Sequence, residues 1–315
     1  MQKGMPVGKD SSPRKRKQWM TLFFSPDEHR LRSGWRLVIQ TICLLLLGLC
    51  VSSVILIPFT FLGGRQLTAT SALVVNEVVK LFAFTPSVLL ARRFLDRRSF
   101  SSLGLQLDRQ VGLDLLAGLL ISFVMMAFIY LAFLSRGWLH FQGFAWQTQP
   151  PAAVLGQTLL ILLIFVMTGW DEELLSRGYH LQTFASGTNL AWGVIFSSSI
   201  FAILHLTNPD SSWISAAGLF FAGLFLALGY LFTGRLWLSI GLHIGWNFFE
   251  GPVFGFMVSG VDFYRLTHIA VSGPSAWTGG AFGPEAGLII LPAIALGSLL
   301  VWLYSKLRQR VSSPI

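Results

Sequence analysis

Three short groups of residues in the second half of the chain carry side chains able to do chemistry. Each sits on or at the end of an apolar stretch. The first is the acidic run Asp171, Glu172, Glu173 followed by Arg177, within TGWDEELLSRGYH. The second joins Phe201 and His205 in FAILH, and the third joins His243 and Asn247 in HIGWN. Ionisable groups in hydrocarbon are costly and generally mark function. Glu173 and Arg177 are spaced i, i+4, so on a helix they share a face and can pair. Glu172 is turned by ~100° about the same helix, free to face another partner. His243 and Asn247 are also stacked one turn apart.

The chemistry open to such a set is hydrolysis. A carboxylate and an imidazole can take a proton from water. His243 and Asn247 can donate hydrogen bonds to a developing oxyanion. Glu172, His205 and His243 could instead hold a divalent metal such as zinc, because two His, one Glu and a water form an accepted catalytic set. The residue types leave both routes open. Other chemistries lack their marks: HExxH, GxSxG, GxGD and the P-loop pattern are all absent from the sequence.

These side chains can meet only if helices bring them level. If the acidic helix continues through Gln182 and turns near Gly187, the next helix returns antiparallel. Glu172 and His205 then both lie roughly 25 Å from the turn at 1.5 Å rise per residue. His243 fits less neatly, being close to the turn near Gly234. Either the acidic hairpin overhangs the membrane or a helix breaks.

Composition supplies the setting. Of 315 residues, 53% are hydrophobic and 12% charged, with mean hydropathy +0.64, against about 25% charged in a typical soluble domain. Long apolar runs cover Leu37–Leu62, Thr68–Ala91, Gly112–Leu134, Ala153–Trp170, Trp213–Phe232 and Ala286–Tyr304, with shorter ones at Leu190–Leu206 and Leu236–Phe249. Only helices or closed barrels satisfy the backbone in lipid, and barrel alternation is missing. The sequence predicts an all-α polytopic membrane protein of about eight transmembrane helices, with the site inside the bundle. Residues 1–36 form a basic tail, 37–111 two helices and a charged loop, 112–306 the main bundle, and 307–315 a short tail.

The net charge of +9 reflects topology rather than nucleic-acid binding. With a cytoplasmic amino terminus and eight spans, 19 of the 23 Lys and Arg residues fall inside, as the positive-inside rule requires. Both termini are then cytoplasmic. The run Arg14–Lys17 suits anionic lipid headgroups. Cys43 and Cys50 lie roughly 10 Å apart along one helix, too far to bridge. Glu77 and Lys80 form another intramembrane pair, which could line the site but is expected to neutralise itself. His29, His140, His180 and His268 fall in expected loops or ends, and the stretch 251–285 in a long outer loop.

Taken in order, EELLSRG, FAILH and HIGWN resemble the three motifs of the CAAX-protease and bacteriocin-processing family of intramembrane proteases. Gly178, HLTNP and SIGLH around them match as well, and the resemblance covers about 153–250. It implies a plasma-membrane endopeptidase acting on a membrane-associated or lipidated peptide or protein. Glu172 and His205 would activate water, His243 and Asn247 would stabilise the oxyanion, and Glu173 and Arg177 would support them. The family precedent admits both a metal and a metal-free glutamate mechanism. Two rival classes remain. One is a catalytically idle relative serving bacteriocin immunity or scaffolding. The other is a proton- or ion-coupled transporter, which the lack of an inverted repeat disfavours.

Overall fold

The computed structural model describes residues 20–25, 30–61 and 68–312. After a short α1 (Met20–Phe23) come α2 (Ser33–Phe61), α3 (Ala69–Leu90) and α4 (Gln110–Ser135). Then follow α5 (Pro151–Glu173), a π-helical stretch Leu174–His180, α6 (Leu181–Gly187), α7 (Leu190–Leu204) and α8 (Trp213–Thr233). The 12-residue α9 (Trp237–Phe248), the single turn α10 (Ser275–Thr278) and α11 (Ile290–Ser312) complete the helices. Among the described residues, seven helical segments are long and apolar enough to cross a membrane, and α9 is too short to be one of them. The protein is thus an integral membrane protein of nearly all-α build. Arg14–Lys17 and His29 lie outside the described residues.

The helix boundaries have local causes. Asn189 caps α7 by accepting from Trp192 N at 3.1 Å, which stops the acidic helix and starts its return. Ser212 caps α8 in the same way through Ser215 N at 3.1 Å. Gly234 ends α8 at φ 68°, a left-handed residue that suits glycine. The return to α9 needs only two residues.

Helix α9 is wedged between α4 and the acidic segment by small residues. A Cβ on Gly118 would sit 2.4 Å from Leu242 N, and one on Gly241 2.5 Å from Leu115 O. Backbones this close gain dispersion contacts that larger side chains would forbid, as is usual between membrane helices. Ser122 locks the register by donating to Leu242 O at 2.7 Å.

Two expectations change. The stretch 251–285 is no featureless loop, since Thr267–Val271 pairs antiparallel with Leu139–Phe144. This ribbon carries His140 and His268, with a bulge between Phe141 and Gly143. The sequence there is short, and mixed Gly and His content hides the strand alternation. His180 is not at an exposed end either. It lies in the π-helical stretch, 6% exposed.

Candidate active site

The continuous helical run Pro151–Gly187 holds 37 residues, about 55 Å at 1.5 Å per residue against ~30 Å of hydrocarbon. The run is thus longer than the hydrocarbon is thick. His243, midway along α9, comes within 3.8 Å of Glu172.

Glu172 Oε2 lies 3.7 Å from His205 Nε2 and 3.8 Å from His243 Nε2. These separations are too long for direct hydrogen bonds and short enough for one water to serve all three atoms. Glu172 Oε2 has no hydrogen-bond partner among the described residues. Glu172 and His205 therefore meet as the antiparallel hairpin requires, and His243 joins them from α9.

The far side of each ring fixes its proton. His205 Nδ1 is 2.8 Å from Phe201 O, a carbonyl that can only accept. His243 Nδ1 is 2.8 Å from Glu173 Oε1, the same oxygen that accepts from Arg177 at 2.7 Å. Both Nδ1 atoms must carry hydrogen, so each ring when neutral offers an Nε2 lone pair toward Glu172. This alters the part open to His243. In its neutral form it accepts a proton from the shared space, and it can donate to an oxyanion only as an imidazolium.

Glu173 and Arg177 are fully buried and pair as their spacing predicts. Arg177 also donates to Gly223 O at 2.8 Å and lies 4.8 Å over the Phe201 ring. Phe201 in turn stacks within 4.6 Å of His205 and 6.0 Å of His243. The aromatic member of the second motif thus spaces the two imidazoles, while the arginine holds the orienting carboxylate.

Asn247 is buried one turn beyond His243 and lines a small cavity of about 30 Å³ with His243, Trp246, Ser259 and Glu285. Glu172 and His205 open instead into a larger cavity of about 340 Å³, shared with Lys80, Asn76 and Asn208. Phe201 borders both. Asn247 and His243 thus line the smaller cavity and not the larger one.

Sequence reasoning missed two groups. Lys80 does not merely neutralise Glu77. Its Nζ lies 3.0 Å from Glu77 Oε1 and 3.1 Å from Glu172 Oε1, bridging α3 to the acidic helix. Nothing local signals this, because the two bridged residues are 92 positions apart. Glu285 is the other. It accepts from Trp246 Nε1 at 2.9 Å and from the Ser259 hydroxyl, and it enters from a segment with no periodic pattern.

A metal fits this arrangement poorly. Among the described residues, no group of three or more His, Cys, Asp or Glu is placed to hold an ion. The Lys80 ammonium already sits on the carboxylate that would have to bind it, and two cations at that distance repel strongly in a low-dielectric interior.

Fold and site together define a polytopic helical membrane protein with an acid and two imidazoles gathered on one buried face of its bundle. The family model of the Rce1-like proteins, type II CAAX prenyl endopeptidases, matches residues 154–249. The match contains all three motifs and supports the resemblance read from them: this segment is similar to the CAAX-protease family. Lys80 and Glu285 lie outside it. No curated protein matches the chain.

Proposed function

We propose that the protein is an intramembrane endopeptidase, hydrolysing a peptide bond in a membrane-associated or lipidated peptide or protein. The observation that carries this reading is the convergence of His205 Nε2 and His243 Nε2 on Glu172 Oε2, at 3.7 and 3.8 Å, beside a cavity of about 340 Å³.

Water held among these three atoms loses a proton to Glu172 or His205, and its oxygen adds to the scissile carbonyl carbon. The oxyanion then collapses, the C–N bond breaks, and the proton passes to the leaving amine. A carboxylic acid and an amine result. His243, oriented by Glu173 and Arg177, accepts from the water or, once protonated, donates to the oxyanion. Asn247 offers an amide donor from the next turn of α9. The side chains supply the proton handling without a metal. Membrane lipids and the substrate are the partners. If α9 completes an eighth crossing, the bias of Lys and Arg toward one side supports cytoplasmic termini, and the family precedent suggests the plasma membrane.

The test is quantification of new protein termini in membranes carrying the wild-type protein or E172Q at equal levels. Termini that appear only with the wild type support the reading. Identical termini in both membranes overturn it.

A further inference from the structure

We infer that Lys80, resting on the peptidase reading above, is a catalytic donor whose ammonium binds the oxyanion formed when water adds to the scissile carbonyl. The donors facing the larger cavity are few. The Nδ1 atoms of His205 and His243 are committed to Phe201 O and Glu173, so each ring can donate toward the shared space only through a protonated Nε2. Arg177 is fully buried against Glu173 and Gly223 O. Asn76 Nδ2 donates to Glu77 at 3.2 Å, and Asn208 Nδ2 to Ser259 O at 3.0 Å, so each keeps only one neutral N–H. The Thr207 hydroxyl donates to Leu204 O at 3.0 Å, and the Ser176 hydroxyl is likewise uncharged. Asn247 lines the smaller cavity. Among the described residues lining the larger cavity, Lys80 is the one lysine or arginine.

Its geometry suits the task. An ammonium has three N–H donors. Two are engaged, by Glu77 Oε1 at 3.0 Å and Glu172 Oε1 at 3.1 Å, which leaves a third for the cavity. Glu77 is itself fixed by Thr168 at 2.9 Å, so the ammonium is held from α3 and α5 together. Hydrolysis moves one negative charge from Glu172, as it takes the water proton, to the carbonyl oxygen. A cation already touching Glu172 faces the charge at the start and at the end of that step, with little reorganisation.

The experiment uses the full chain in liposomes with a prenylated CAAX peptide and an acylated peptide as substrates. Wild type, K80M, K80Q and K80R are compared for kcat and KM. Binding of a phosphinic peptide, an anionic tetrahedral mimic, is compared with that of a neutral hydroxyethylene isostere. K80M and K80Q are expected to lose roughly 10²–10³-fold in kcat, the cost of removing one oxyanion donor, with KM within about twofold. Phosphinate affinity falls in parallel, isostere affinity holds, and K80R regains part of the rate. Two charge-removing variants are run so that failed insertion of one leaves the other to decide. A kcat within about threefold of wild type overturns the role, as does equal weakening of both inhibitors, which a purely structural lysine would give. If the wild type cleaves neither peptide while inserted and folded, the peptidase reading falls and the inference with it. Cleavage by wild type and K80M with kcat within about threefold removes Lys80 alone.

Discussion

His243 Nδ1 and Glu173 Oε1 are 2.8 Å apart, and the same carboxylate oxygen accepts from Arg177 at 2.7 Å. One buried carboxylate thus orients the imidazole of α9 and neutralises the guanidinium of its own helix. Removing either charge strands the other. R177A and E173Q should each destabilise the protein by about 3–5 kcal/mol, the usual cost of leaving one member of a buried pair. The double variant E173Q/R177M should recover part of that loss. Thermal unfolding in detergent checks it, and additive losses in the double variant would contradict the pairing.

The position of His243 also depends on how closely α9 lies against α4. Gly241→Ala puts a Cβ 2.5 Å from Leu115 O, whereas a Cβ on Gly112 meets nothing within 4 Å. The first substitution should cost about 1–3 kcal/mol through overpacking and lower kcat, while Gly112→Ala changes neither. Equal behaviour of the two variants, in unfolding and in turnover, would count against α9 as the rigid carrier of the site.

A pH effect is expected away from the bundle core. The Arg235 guanidinium donates to Asp108 at 2.6 Å, and with a bond from Gln110 N it holds that carboxyl down to about 2. Because the folded value is depressed, the stabilisation is present above the ordinary aspartate value of about 3.9. It is lost as pH falls through that value toward about 2. The stability difference between wild type and D108N should be level from neutral pH down to about 5 and vanish in strong acid. The contact is exposed and salt-screened, so the difference is small. A difference that grows on acidification would reverse the sign.

Turnover should withstand a strong zinc chelator, because Lys80 rather than an ion neutralises Glu172. Elemental analysis of the purified protein should find no stoichiometric transition metal. Loss of activity on chelation, restored by added zinc, would show that Lys80 moves aside for a metal.

The chemistry-bearing residues were legible where their relations are helical. Glu173 with Arg177, and His243 with Asn247, follow from i, i+4 spacing, and the meeting of Glu172 with His205 follows from counting residues to the turn near Gly187. The apolar runs likewise announced the bundle. What stayed hidden depends on tertiary contact. Lys80 had a plausible local partner in Glu77, so nothing in the sequence pointed to Glu172, 92 residues away. Glu285 and Ser259 arrive from irregular segments. His180 is buried because the π-helical stretch shifts the helix phase, and the ribbon of Leu139–Phe144 with Thr267–Val271 is too short to show a period.

The most direct measurement is the single-turnover cleavage rate of E172Q and H205A in liposomes, beside wild type, on a membrane-anchored peptide. If Glu172 and His205 activate the water, both variants should insert and unfold normally yet cleave at least about 10²-fold more slowly. Cleavage by either variant at the wild-type rate would contradict a water held between them.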